Sequence, residues 1–430
     1  MARFLICSSP VHGHLAPLLR VAQNLKARGH ETVVLTGSRF EGPVTATGAR
    51  HVALPTECDY DDRDLDTAFP GREKKRGPSQ LNFDICHIFA DPLPYQYRAV
   101  KDLLRSFPAE VVLSDSAFMG VAPFVLLEQD KRPSFVVLNV LPLTISSRDT
   151  APFGLGLAPS SSMLGRARNS ALTALVQHVI LRPGQRRVNE MLASVGSPLL
   201  PSFFMDAVVL ADHLVQPTIP SFEYPRSDLP NNVRFVGPVL PPASDNFEPP
   251  SWWADLDGPR PVVHVTQGTL DTADLGRLIG PTLSALQDED VLTVVTTGGR
   301  PTSALPGPVP ANARVASFLP YDHLLPKVDA MVTNGGYGGV QGALSHGLPL
   351  VVAGASEDKP EVAARVAWAG AGINLRRGKP TPAKVRSAVL KVLSEPAYRA
   401  RARELQKECS QYSAVATITT LLEELAEPKV

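Results

Sequence analysis

Short apolar runs recur along the chain at Phe4–Ser8, Thr32–Thr36, His51–Leu54, Val111–Ser114 and Phe135–Leu138. Between them lie stretches with helical spacing, such as Leu15, Leu18, Leu19, Ala22 and Leu25, which Gly29 then stops. Continuous rather than alternating apolar runs predict strands buried on both faces, hence a parallel sheet covered by helices. After Phe135–Leu138 the pattern loosens. Leu141–Ser162 is rich in Pro, Ser and Gly, a long amphipathic segment spans Leu164–Ser194, and Val208–Val215 and Val233–Val236 finish the first half. Helices are also expected over Leu81–Phe107 and Val121–Glu128.

The alternation then restarts. Strands are predicted at Val262–Thr266, Leu292–Thr296, Val315–Ser317, Ala330–Thr333 and Pro349–Ala353. Helices are predicted at Ala273–Leu286, from Val340, and at Pro360–Ala369, Pro382–Leu393, Pro396–Cys409 and Ser413–Glu424. Between the halves, Gly237–Pro250 carries five prolines among polar residues, which suits a stiff, extended connection. The expected division is a domain over 1–240, a linker over 241–252 and a second domain over 253–410. A terminal helix in 411–430 is expected to pack back on the first domain. The fold class is α/β, with two doubly wound, Rossmann-like parallel sheets.

Composition narrows the function classes. The 430 residues exceed one ordinary core, and 42 basic residues balance 42 acidic ones. Nothing in that balance points to nucleic acid or to an anionic membrane surface. Apolar runs fall far short of the roughly 20 residues that cross a bilayer. The four cysteines are scattered, and the chain enters its first strand without a signal-like segment, so a reducing cytoplasm is expected. Residues 57–78, acid-rich and then base-rich, read as an exposed, mobile loop.

The chemistry-bearing residues collect where doubly wound sheets bind ligands, at the C-terminal ends of strands. Ala330–Lys359 is the most informative stretch, a strand, then Asn334-Gly335-Gly336-Tyr337-Gly338-Gly339, then a helix. Glycines there let bare N–H groups approach a ligand, and the helix aims its free N–H groups and positive dipole end at the same point, which suits a phosphate or diphosphate. A Gly-rich strand-to-helix turn without a ligand is the competing reading. Gln267-Gly268-Thr269, Phe318 and Asp358-Lys359 fall at neighbouring strand ends. In the first half, Ser8–His14 follows the first strand and Asp115 closes Val111–Ser114. His14 suits a general base and Asp115 a carboxylate partner, although each also fits a helix N-terminus without chemistry. His12 is the second choice for the base.

Three segments in order carry a family resemblance. SSPVHGHLAPLLRVAQNLKARGHETVVLT, VVHVTQGT and ASFLPYDHLLPKVDAMVTNGGYGGVQGALSHGLPLVVAGASEDKPEVAARV together resemble the GT-B inverting glycosyltransferases of the UDP-glycosyltransferase-like family, the bacterial macrolide and natural-product type included. The resemblance spans essentially the whole chain. It implies a UDP- or dTDP-hexose donor, no permanently bound cofactor, no metal, and a lipophilic acceptor such as a polyketide, macrolide or phenolic. It implies that His14 deprotonates the acceptor with Asp115 as its partner. Phe318 would stack on the nucleobase, with Leu319 backbone groups at its edge. Gly268, Thr269, Asn334, Gly335, Gly336, Gly338 and Gly339 would surround the diphosphate, and Asp358 and Lys359 the sugar. The acceptor pocket is expected from loops near 57–95 and 141–165, in a monomer or homodimer. The chain departs from the family at Asn334 (usually His), Val340 (usually Ser or Thr) and Gly342 (Glu in many UDP-users). A non-catalytic homologue that binds nucleotide, and a sugar-nucleotide epimerase, are the rival readings.

Overall fold

The computed structural model describes residues 1–244, 246–269, 272 and 274–427. Seven strands form the first sheet, namely β1 (Arg3–Cys7), β2 (Glu31–Thr36), β3 (Arg50–Ala53), β4 (Val111–Asp115), β5 (Ser134–Leu138), β6 (His213–Gln216) and β7 (Val233–Phe235). Six form the second, namely β8 (Val262–Thr266), β9 (Leu292–Thr296), β10 (Ala313–Ala316), β11 (Ala330–Thr333), β12 (Leu350–Val352) and β13 (Gly372–Asn374). All pairings are parallel, in the orders β3-β2-β1-β4-β5-β6-β7 and β10-β9-β8-β11-β12-β13. Each sheet is doubly wound, with its topological switch point between β1 and β4 or between β8 and β11. Those are the places where such sheets open a ligand crevice.

Alternate residues of each central strand feed opposite cores. Phe4 and Ile6 pack on one face of the first sheet with Leu18 and Val111, while Leu5 and Cys7 pack on the other with Val112 and Phe135. Both faces of the second sheet are covered in the same way. Full burial of one large aliphatic side chain contributes about 1.5–3 kcal/mol, so these layers fix the strand ends firmly. The Ala414–Ala426 helix packs Ile418, Leu421 and Leu422 into the first-sheet core beside Leu15 and Leu18. Glu423 anchors it through Arg28 at 2.6 Å and His30 at 2.8 Å.

Several expected elements differ in extent. The region expected as one helix over Leu81–Phe107 is a helix at Gly77–Phe83, a π turn at Asp84–Ala90 and a second helix at Leu93–Ser106. Pro92 and Pro94 lack the N–H that a continuous ladder needs. Only His213–Val215 of the Val208–Val215 run falls in a strand, β6, because Phe204–Leu210 winds into a 3-10 turn. The helix expected from Ala273 begins at Ile279, and Ala273 itself lies outside the described residues. β13 was not expected, being three residues long. Among the described residues, no helix is long and apolar enough to cross a membrane.

Candidate active site

The first strand ends at Cys7, and a helix begins at His12 without a side-chain cap, since Val11 precedes it. Two carboxylates from elsewhere hold this turn. Asp115, fully buried at the end of β4, accepts the Ser9 N–H at 2.6 Å through one oxygen. Its other oxygen accepts the Ala117 N–H at 2.7 Å and lies 3.1 Å from His14 Nδ1. With Nδ1–H donating to Asp115, His14 Nε2 keeps a lone pair free for a proton. Burial disfavours the His14 imidazolium, but the Asp115 carboxylate, aided by Asp358 and Asp62, outweighs it and raises the pKa above the ordinary 6.5. Burial likewise favours neutral Asp115, and its His14, Ser9 and Ala117 partners reverse that, holding it below the usual carboxylate range.

The second carboxylate is Asp62, which with Cys58 is buried within the 57–78 segment that was expected as an exposed loop. Asp62 is 5% exposed, accepts the His12 N–H at 2.7 Å and pairs with Arg39. An anion at a helix N-terminus meets both its unpaired N–H groups and its dipole. The His12 side chain is exposed and stands outside the His14–Asp115 pair.

On the opposing sheet, β8 leads into Gly268 and β11 into Asn334-Gly335-Gly336, after which a helix runs Tyr337–Ser345 rather than starting at Val340. Gly335 has φ +90°, and a Cβ there would sit 2.8 Å from Val352 Cγ1. Gly338, in the helix's first turn, has nothing within 4 Å of where its Cβ would be, so the front of the turn is open. Gly335→Ala combines an unfavourable positive φ with that close contact and is expected to cost about 1–3 kcal/mol, read as a lower urea midpoint.

The three family departures look different in space. Asn334 is buried, and its amide donates to the Gln267 carbonyl at 2.7 Å, strapping the β8 turn to the Gly-rich turn. That bond uses one of the two N–H donors of the amide. Val340 is wholly buried in the core behind the turn, so a hydroxyl at that position would face the sheet. At Gly342 a Cβ would lie 3.3 Å from the Tyr321 ring, which fills the space beside it.

The remaining positions fall around this turn. Phe318 is 65% exposed, whereas the Leu319 side chain is buried in the core and leaves only backbone to present. Thr269 is exposed beside Gly268. Asp358 precedes the Lys359–Trp368 helix, and burial, with Glu357 adding to it and Lys359 opposing, lifts its pKa to about 6. Lys359 is buried and ion-paired with Glu357, so its charge is shared with that carboxylate.

The two sheets are joined by contacts that sequence reasoning missed. Gln216, at the end of β6, donates to the Tyr337 hydroxyl at 2.9 Å, and Gln341 donates to Thr218 at 2.7 Å. Tyr337 interrupts the glycines of the turn, and that interruption was its only signal. A buried ionic cluster of Glu223, Arg226, Glu361 and Arg365 lies nearby. His14 and Asp358 sense each other's charge from opposite sheets.

Comparisons with known proteins bear on the family and the fold. The family model described as "Erythromycin biosynthesis protein CIII-like, C-terminal domain" matches residues 281–425. The 4'-demethylrebeccamycin synthase of Lentzea aerocolonigenes is 44% identical over 99% of this chain and 99% of its own length. UDP-glycosyltransferase 2 of Phaeomoniella chlamydospora is 38% identical over 98% of this chain and 95% of its own. Among solved structures, the kitacinnamycin glycosyltransferase superposes with a TM-score of 0.75 at 21% identity, covering 99% of this chain and 98% of that one. The calicheamicin glycosyltransferase CalG4 gives 0.72 at 21% identity, with the same coverage. At such identity the structures speak for the fold, two facing Rossmann-like domains.

Proposed function

This chain belongs to the UDP-glycosyltransferase-like family of natural-product glycosyltransferases, and we propose that it transfers a hexose from a UDP- or dTDP-linked donor to a hydroxyl of a lipophilic small molecule, with inversion. The observation that carries this reading is the His14 Nδ1–Asp115 contact of 3.1 Å, placed within electrostatic reach of Asp358 on the other sheet. His14 Nε2 takes the acceptor's proton, and Asp115 stabilises the imidazolium that forms. The acceptor oxygen attacks the anomeric carbon from the face opposite the diphosphate, and that carbon's bond to the diphosphate oxygen breaks. Negative charge then grows on the diphosphate, where Gly335–Gly339 backbone groups and the N-terminus of the Tyr337–Ser345 helix meet it. Asp358 accepts hydrogen bonds from the sugar hydroxyls, with Lys359 beside it.

Phe318 is assigned to stack on the nucleobase. Because it is largely exposed, Phe318→Ala is expected to leave stability unchanged. The donor KM should rise about tenfold, the scale of a lost aromatic–base stack. Gly342, packed against Tyr321, offers no acceptor for a ribose 2′-hydroxyl, which keeps dTDP beside UDP as the donor nucleotide. Two structural neighbours were solved with thymidine diphosphate or dTDP, whereas several sequence relatives are named UDP-glucosyltransferases. Incubating the protein with UDP-glucose and dTDP-hexoses against a panel of polyketide and phenolic aglycones, read by mass spectrometry, tests the assignment. A hexose adduct that requires both substrates supports it; nucleotide binding with no adduct from any pair contradicts it.

A further inference from the structure

The Pro/Ser/Gly-rich segment after β5 is attached at both ends to one buried ionic cluster. At its start, the Leu143 N–H donates to Glu223 Oε2 at 3.0 Å, and Arg226 donates to the Leu143 carbonyl at 3.1 Å. At its far end, the Gly154 and Gly156 N–H groups converge on Glu361 Oε1 at 2.8 and 2.7 Å. That convergence needs the left-handed backbone of Gly154 (φ +99°) and Gly156 (φ +59°), which turns two nearby N–H groups toward one oxygen. Glu361 Oε2 receives Arg365 at 2.7 Å, and Arg365 reaches Glu223 Oε1 at 2.6 Å. Arg365 is 1% exposed, and its guanidinium also lies 4.1 Å from the centre of the Tyr224 ring.

Glu361 sits on the helix whose first residues follow Asp358, on the donor side. The segment it grips comes from the first domain. Phe153, next to the gripped turn, lines a small hollow with Thr144, Thr150, Val176 and Phe203, all from the first domain. A Cβ at Gly156 would lie 3.0 Å from the Pro360 carbonyl, so the turn rests directly on the donor-side helix. Glu361 is itself buried, and a charged acceptor suits a side chain that serves two backbone donors and a guanidinium at once, since each such bond exceeds a neutral one.

We propose that Glu361 is a positioning residue that clamps the 150–156 segment to the donor-side helix, so that the acceptor pocket is completed only when both domains hold this loop. Glu361 acts through the backbone of Gly154 and Gly156. The inference rests on the reading of 141–165 as acceptor-binding, and donor recognition by the Gly-rich turn is left unaltered by it.

Two variants attack the contact from opposite sides. Glu361→Gln keeps the side chain's length and removes its charge. Gly156→Ala leaves the ionic cluster intact and strains the loop against Pro360. Amide hydrogen exchange is followed in the substrate-free protein, alongside steady-state kinetics and calorimetric binding of UDP and dTDP. In both variants, exchange at the backbone amides of positions 154 and 156 is expected to quicken about tenfold, and the acceptor KM to rise by a similar factor, the scale of one lost charge-assisted bond. Nucleotide affinity is expected to stay within about twofold, as the Gly-rich turn is untouched. Unchanged exchange at both amides, or nucleotide affinity falling in step with acceptor affinity, overturns the proposal. Because exchange is read without substrate, a wild-type protein that transfers no sugar rejects the acceptor reading and leaves the clamp itself tested.

Discussion

Replacing His14 by alanine is expected to lower kcat/KM for sugar transfer by about 10²–10⁴-fold, the usual contribution of a positioned general base. Nucleotide affinity should hold within about twofold, because the diphosphate is met by backbone groups of the other domain. An intact protein that binds nucleotide and does not turn over is the signature of a lost base. The pH profile gives an independent reading. His14 acts only when neutral, and its pKa is raised above 6.5, so activity falls as pH drops through a midpoint above the ordinary histidine value. Asp358→Asn removes one of the carboxylates that raise it, so that midpoint should move to lower pH. Asp115→Asn removes the larger contribution and should move it further, since burial then acts with less opposition. A profile unmoved by either substitution would assign the titration to another group.

Replacing Arg365 by alanine is expected to destabilise the protein by about 3–5 kcal/mol, the range for removing one partner of a buried ion pair. Arg365 lies between Glu223 and Glu361, each within 2.7 Å and each buried. Without the guanidinium, two carboxylates remain in the interior, and Arg226 reaches only Glu223, at 3.3 Å. Chemical denaturation read by fluorescence should show the loss, together with looser association of the two domains. Lysine would not restore the cluster, because one ammonium cannot reproduce the planar fork that serves both carboxylates.

Much of this was legible in the sequence, for a physical reason. Strands buried on both faces leave continuous apolar runs, so β1, β2, β4, β5, β8, β9 and β11 could be read directly. β13 could not, because its three residues take their burial from neighbours and carry no run of their own. His14 and Asp115 were legible because strand ends at a switch point are where ligands collect, and the structure brings them to 3.1 Å. Asp62 was misread. An acid in a charged run looks solvated until a distant helix N-terminus is seen to need it. The bond from Asn334 to the Gln267 carbonyl was not legible, because a chain of letters cannot show that this carbonyl lies 2.7 Å away. The Glu223–Arg365 pair joins residues 142 positions apart, and no local pattern marks it.

The anomeric configuration of the product tests the account most directly. With an α-linked nucleotide-hexose and an accepted aglycone, proton NMR of the purified glycoside should show a β-linked sugar. That follows from in-line attack by an acceptor oxygen that His14 has deprotonated. An α-linked product, which needs retention of configuration, would contradict the placement of base and diphosphate on opposite sides of the sugar.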